Sequence, residues 1–201
     1  MTTYFVRLIC LSLVFGLQSV LALAQVPPDV PPVPNDIQVP AGQEVFFSGH
    51  AIGTQNFICL ATSDGVAWRF TGPQATLFQT VSQQVSQQLT THFLSVNPAD
   101  NLPRPTWQHS SDTSSVWGRV LASSNDPDYV ESGAIPWLLL EVAGKQLGPM
   151  GGDILTPATF IHRVNTTGGL APATGCTKRA NAGAVALVPY TADYFFYKPT
   201  P

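Results

Sequence analysis

The hydrophobic residues of this chain fall into short runs that are separated by turn-forming residues. From Val45 onward, runs rich in β-branched and aromatic side chains are each bounded by Gly, Pro, Asn, Asp or Ser. This pattern is typical of short β-strands. We predict strands at 45–47, 56–61, 76–78, 116–122, 136–142, 158–164, 184–188 and 194–197. Short strands with little helix predict an all-β domain, built as an antiparallel β-sandwich or a closed β-barrel.

Three segments depart from this regular pattern. Trp137–Leu140 is a continuous apolar run, which predicts a strand that is covered on both faces. Val81, Val85 and Leu89 are spaced four apart, which predicts one short helix near 81–90 because such positions share a helix face. The segment 97–105 contains three prolines and is predicted to be a loop.

The first 24 residues have the pattern of a secretory signal peptide. Arg7 precedes an almost wholly apolar stretch, Leu8–Leu23, and Ala22-Leu23-Ala24 is a small-x-small cleavage site. A transmembrane anchor is the alternative, but the apolar run is marginal in length and no basic patch follows it. We therefore expect a secreted or periplasmic protein with no membrane span after signal cleavage.

Residues 25–40 contain six prolines, which exclude a helix or a central strand. We interpret this segment as an extended spacer, with a ligand for a proline-recognising groove as its functional alternative. The remaining residues, 41–201, are long enough to bury a sizeable core and are predicted to form a single β domain.

Signal cleavage would remove Cys10 and leave two cysteines, Cys59 and Cys176. In an oxidising compartment two cysteines most simply form one disulfide, and two free buried thiols are the alternative. A structural zinc site needs four ligands at close spacing, which this chain lacks. We expect no metal and no cofactor.

Composition and motifs exclude several function classes. Charged residues make up 10% of the chain and the net charge is −3, so no basic face for a nucleic-acid partner is expected. The motifs G-x-S-x-G, G-x-x-x-x-G-K-[ST] and H-E-x-x-H are absent. His109, Asp112 and the neighbouring serines offer the residue types of a hydrolytic triad, but residue types without geometry are weak evidence and a serine-rich loop is strongly favoured. The sequence therefore predicts no specific enzymatic reaction.

Three segments in the second half carry a family resemblance. They are Gly133-Ala-Ile-Pro-Trp-Leu-Leu-Leu140, the run from Phe160 to Cys176, and Val188-Pro-Tyr-Thr-Ala-Asp-Tyr-Phe-Phe-Tyr197. They resemble secreted bacterial and fungal proteins grouped as domain of unknown function 3455, and the match covers roughly 39–197. The resemblance implies a single exported domain and a bridge between Cys59 and Cys176, and it implies no activity. The chain departs from the family pattern between Gln79 and Pro105, where both sides of His92 are longer.

The candidate ligand-binding residues are His92, Trp107, His162 and Arg163, because segments of the resemblance coincide there. His162 and Arg163 lie on a predicted strand before the 165–175 loop, and sites are common where a rigid strand meets a loop. We predict a binding module for a small molecule, a glycan or an envelope partner. The alternatives are a His-based or metal-dependent enzyme that uses His92 and His162, and a structural envelope protein.

Overall fold

A computed structural model describes residues 29–82 and 85–201, so the predicted signal peptide lies outside the described residues. The strands are β1 Gln43–Thr62, β2 Gly65–Ser82, β3 Val85–Val96, β4 Pro103–His109, β5 Ser115–Ser124, β6 Trp137–Gln146, β7 Phe160–Gly168 and β8 Val185–Pro199. Each strand pairs antiparallel with the next, and β8 pairs with β1 to close an eight-stranded barrel. The all-β prediction is confirmed, and the closed barrel is the form adopted.

The helix predicted near 81–90 is wrong. Residues of β2 and β3 pair there as a hairpin, with Thr80 opposite Ser86 and Ser82 opposite Val85. A spacing of four is an even number, so positions that share a helix face also share a strand face. The helical elements of the described residues are 3-10 turns at Asn35–Ile37 and Arg179–Asn181. None of the helices in the described ranges is long and apolar enough to cross a membrane.

The loop predicted at 97–105 is shorter than expected, because β4 already begins at Pro103. Pro103 lies opposite Val96 and Pro105 lies opposite Leu94 on β3. On its other side β4 pairs with β5 only over 106–108. Proline donates no backbone hydrogen bond, and these prolines occupy the part of the strand that has a neighbour on one side only.

The apolar run Trp137–Leu140 is buried on both faces of the barrel wall, as predicted. Leu138 and Leu140 pack on the inner core, whereas Trp137 and Leu139 pack on an outer cluster. The outer cluster comprises Ile37, Val130, Ala134, Trp137, Leu139, Val164, Phe195 and Tyr197. The same alternation runs along β8, where Tyr194 and Phe196 belong to the inner core. A strand that reads as continuously apolar therefore separates two hydrophobic layers.

The described part of the proline-rich segment, residues 29–40, lies against the barrel wall. Ile37 has no exposed surface, and Val30, Val33 and Val39 pack on the outer cluster. The interpretation of this part as a free spacer does not hold, because its apolar side chains cover the outer face of β6, β7 and β8. Proline keeps the segment extended, and the interspersed valines and isoleucine attach it.

The predicted disulfide between Cys59 and Cys176 is present, with its Cα atoms 5.5 Å apart. It joins β1 to the connection between β7 and β8. Backbone hydrogen bonds reinforce this junction, because Cys59 donates to Ala184 and accepts from Gly183. The connection is therefore tied to β1 at the barrel end that also carries the β1–β2 turn, and we call this the open end.

Candidate functional site

The candidate site is a cavity of about 130 Å³ inside the barrel, between its centre and the open end. Its apolar lining consists of Phe70, Pro73, Pro105, Val120, Leu138 and Leu140. Its polar or partly polar lining consists of Gln55, His92, Trp107, Arg163 and Tyr194. Phe70 and Val120 are 51% and 48% exposed, and they form the mouth.

The other half of the barrel is filled by aromatic side chains. Phe47 and Phe196 meet edge to face with ring centroids 5.2 Å apart, and Trp107 contacts Phe196 at 5.8 Å. Leu77 and Leu155 have no exposed surface and belong to the same core. The cavity therefore has a packed floor and opens in one direction.

His92 and Trp107 form the aromatic floor of the cavity. They are directly opposite each other on β3 and β4, and their rings stack with centroids 4.3 Å apart and planes at 9°. Tyr194 meets both rings edge-on, at 5.2 and 5.4 Å. Gly118 on β5 leaves the indole room, since a Cβ there would lie 3.1 Å from Trp107 Cζ3.

His92 is neutral in the folded protein. Burial lowers its pKa to about 3, and the nearby positive charge of Arg163 acts in the same direction, although a hydrogen bond to Thr106 opposes both. Its Nδ1 lies 2.9 Å from the carbonyl oxygen of Thr106. A carbonyl only accepts, so Nδ1 carries the proton and Nε2 is left as an acceptor.

Arg163 brings a positive charge to the cavity. Its Nε and Nη2 donate to the carbonyl oxygen of Pro136 at 3.2 and 2.8 Å, and its positive charge opposes the rise that burial causes in the pKa of Tyr194. The side chain is only partly buried. No acidic residue lines the cavity, and within the described residues Arg163 has no ion-pair partner.

Nε1 of Trp107, next to the cavity, has no partner within the described residues, whereas the amide of Gln55 lies near the Tyr190 hydroxyl. Gln55 is 4% exposed and Trp107 is 1% exposed. A buried donor such as the Trp107 N–H normally has a partner. Burial raises the pKa of Tyr190 and of Tyr194, so both hydroxyls stay protonated at neutral pH. The polar groups around this pocket therefore include the donors of Arg163 and Trp107 and one acceptor, Nε2 of His92.

The fourth candidate, His162, lies on the opposite face of the wall. Its Nε2 is 2.7 Å from the carbonyl oxygen of Ile37, and its Nδ1 is 2.9 Å from the hydroxyl of Tyr197. Burial lowers its pKa. His162 therefore attaches the N-terminal segment to the outer cluster, and it is not part of the cavity that holds Arg163.

These positions do not support one site built from His92 and His162. His92 contacts Trp107 and Tyr194 in the barrel, whereas His162 contacts Tyr197 outside it. Across residues 29–82 and 85–201, no three His, Cys, Asp or Glu side chains come together as metal ligands would.

The residue types of a triad near His109 do not form one. Asp112 Oδ1 and Ser111 Oγ both approach the same ring nitrogen, Nδ1 of His109, at 3.1 and 3.2 Å. A triad needs the acid and the nucleophile on different ring nitrogens. Asp112 instead accepts from Ser114 and from the backbone of Ile154, so it ties two loops together.

Gln55 is the site residue that the sequence analysis did not single out. It lies in a stretch treated there as a break between two strands, whereas β1 runs through it without interruption. It faces inward together with Ala51, which belongs to the inner core. An uninterrupted alternation from Ala51 would have been the signal, but His50–Thr54 contains too few strand-forming residues to show it.

The fold and the cavity together define a class: a small disulfide-bonded antiparallel barrel with a pocket in one end. The model of one protein family, described as a protein of unknown function (DUF3455), matches residues 40–198. The chain therefore belongs to this family, as the resemblance implied. Comparison with curated proteins and with solved structures finds no match.

Proposed function

We propose that the chain is an exported binding module that holds a small molecule in the open end of its barrel. The observation that carries the proposal is the cavity lined by His92, Trp107 and Arg163. It combines a mostly apolar wall with a few convergent polar groups, which is the usual character of ligand pockets. The disulfide is consistent with an oxidising compartment outside the cytoplasm.

The size of the cavity limits the ligand. An apolar protein cavity of about 150 Å³ accommodates one benzene molecule. The cavity here is about 130 Å³ and is open at Phe70 and Val120, so a single six-membered ring fits and its substituents extend toward solvent. A polymeric glycan or a protein partner would engage the mouth and not the floor.

The proposal is tested with neutral ring-sized probes, phenol and benzamide, on the protein from Gln25 to Pro201. Binding stabilises the folded state by about 2.7 kcal/mol at a hundred times Kd, which raises the melting temperature. We expect at least one probe to raise it, and we expect Val120→Trp to abolish the rise by filling the mouth.

Leu121→Trp is the matched control, because Leu121 is as exposed as Val120 but does not line the cavity. The rise should survive in this variant. If neither probe nor benzoate shifts the melting temperature, the pocket does not bind ring-sized molecules, and a structural envelope role is favoured instead. If both tryptophan variants behave alike, binding occurs elsewhere on the surface.

A further inference from the structure

The electrostatic character of the cavity is set by a single uncompensated cation. Arg163 reaches it from β7, and its hydrogen-bond acceptor among the described residues is a neutral carbonyl, that of Pro136. A carbonyl satisfies N–H groups but does not cancel their charge. No carboxylate among the described residues lines the cavity. The charge that would complement the partly buried guanidinium is therefore a negative one.

The hydrogen-bonding groups around the cavity point to the same chemistry. Trp107 holds a buried N–H without a partner in the described residues, and Tyr194 is a protonated hydroxyl beside Arg163. The partly exposed guanidinium of Arg163 is the donor that matches a group that only accepts. A carboxylate has two oxygens and about four acceptor positions, and it binds guanidinium well.

The remaining surface of the cavity favours an aromatic ring. The stacked pair His92 and Trp107 presents flat π surfaces, and Leu138 and Leu140 supply an apolar side. Aromatic rings pack against such surfaces with a preference for offset or edge-on geometry. A phosphate or sulfate ion would leave these apolar walls without contacts.

We infer that the ligand is a single-ring aromatic carboxylate whose carboxylate pairs with Arg163 while its ring packs against His92 and Trp107. This inference rests on the proposed binding function and specifies its ligand class. It assigns Arg163 the role of selecting anions, and it assigns the aromatic floor the role of selecting rings.

Benzoate and benzamide test the inference on the protein from Gln25 to Pro201, because the two probes have nearly the same shape and differ in charge. By titration calorimetry we expect benzoate to bind about tenfold or more tightly than benzamide, since hydrogen bonds to charged groups are the stronger ones. Equal affinities would overturn the inference while leaving the pocket as a binding site for neutral rings. Absence of binding by both would overturn the proposed function as well.

Variants of Arg163 identify the group responsible. Arg163→Met should weaken benzoate binding by about tenfold or more and leave benzamide binding within about threefold. Arg163→Lys keeps the charge but not the planar fork, so its loss should be smaller than that of Arg163→Met. Arg119→Met is the control of equal charge change, since Arg119 is exposed and pairs with Glu141 away from the cavity. If Arg119→Met weakens benzoate as much as Arg163→Met, general attraction of anions explains the preference and the inference fails.

Discussion

The barrel wall formed by β6, β7 and β8 has two faces that are completed differently. On the outer face, the chain's own N-terminal segment covers the hydrophobic cluster, and His162 uses both ring nitrogens to bind Ile37 and Tyr197. On the inner face, Arg163 and Tyr194 border a cavity that Gln55 and Trp107 also line. His162 thus belongs to the covered outer face, whereas its neighbour in the sequence, Arg163, borders the cavity on the inner face.

The two faces differ in the presence of a cation and a cavity more than in how many buried polar groups lack a hydrogen-bond partner. The outer face also has an indole N–H without a partner in the described residues, that of Trp137. However, Trp137 is packed against Tyr129 and the apolar side chains of the outer cluster. On this wall, and within the described residues, the inner face combines a cation with a cavity that reaches the surface. It is this combination that supports the proposed ligand site.

Acid should destabilise the folded protein mainly through His92 on the inner face. The folded protein keeps His92 neutral because burial lowers its pKa to about 3, while the unfolded chain binds a proton near the ordinary histidine pKa of 6.5. The contribution of neutral His92 to the free energy of unfolding is therefore fully present above about pH 6.5. It is lost as the pH falls toward 3, which lowers the free energy of unfolding by roughly 5 kcal/mol. Urea unfolding across this range should show the loss.

His92→Gln removes this titration and should flatten the pH dependence of the free energy of unfolding, even if the variant is less stable at neutral pH. The remaining dependence includes His162, whose pKa is also lowered by burial and which acts in the same direction. An unchanged dependence in His92→Gln would contradict the neutral state of His92.

Truncation of one side chain on each face should separate stability from binding. Ile37→Ala, on the outer face, should cost about 3 kcal/mol of unfolding free energy, because Ile37 has no exposed surface. Leu140→Ala, on the inner face, should cost a similar amount and also enlarge the cavity that Leu140 lines. We expect only Leu140→Ala to change the affinity for benzamide. Equal effects of both on affinity would show that the two faces are not independent.

Tyr197→Phe should give the smallest change in the free energy of unfolding, and it tests the hydrogen bond between Tyr197 and His162 on the outer face. It removes the hydroxyl that lies 2.9 Å from His162 Nδ1 and leaves the ring packing in place. A net hydrogen bond of this kind is worth about 1 kcal/mol, so urea unfolding should show a loss of that size. Benzamide affinity should not change. A loss no larger than experimental error would mean that water replaces the hydroxyl.

The correct sequence predictions concern features that neighbouring residues determine, and the incorrect ones concern features that depend on contacts between residues distant in the sequence. The burial of Trp137–Leu140 on both faces was predicted because continuous apolarity is a property of neighbouring residues. The helix near 81–90 was wrong because its spacing also fits a strand, and the choice depended on pairing with β2. Three members of the candidate set, His92, Trp107 and Arg163, line one cavity, and their role in binding stays a prediction. The set included His162 because adjacency in sequence does not reveal that side chains alternate across a closed wall.

The order of apolar and turn-forming residues by itself determined an all-β chain, and the presence of two cysteines after the predicted cleavage site indicated one disulfide. Local preferences suffice for such features, because they depend on residues close in sequence or on very few alternatives. Closure of the barrel, the cover supplied by residues 29–40 and the meeting of Gln55 with Arg163 were decided by tertiary structure alone. Each of these requires groups distant in the chain to lie together, and the free energy that selects them comes from burying their shared surface.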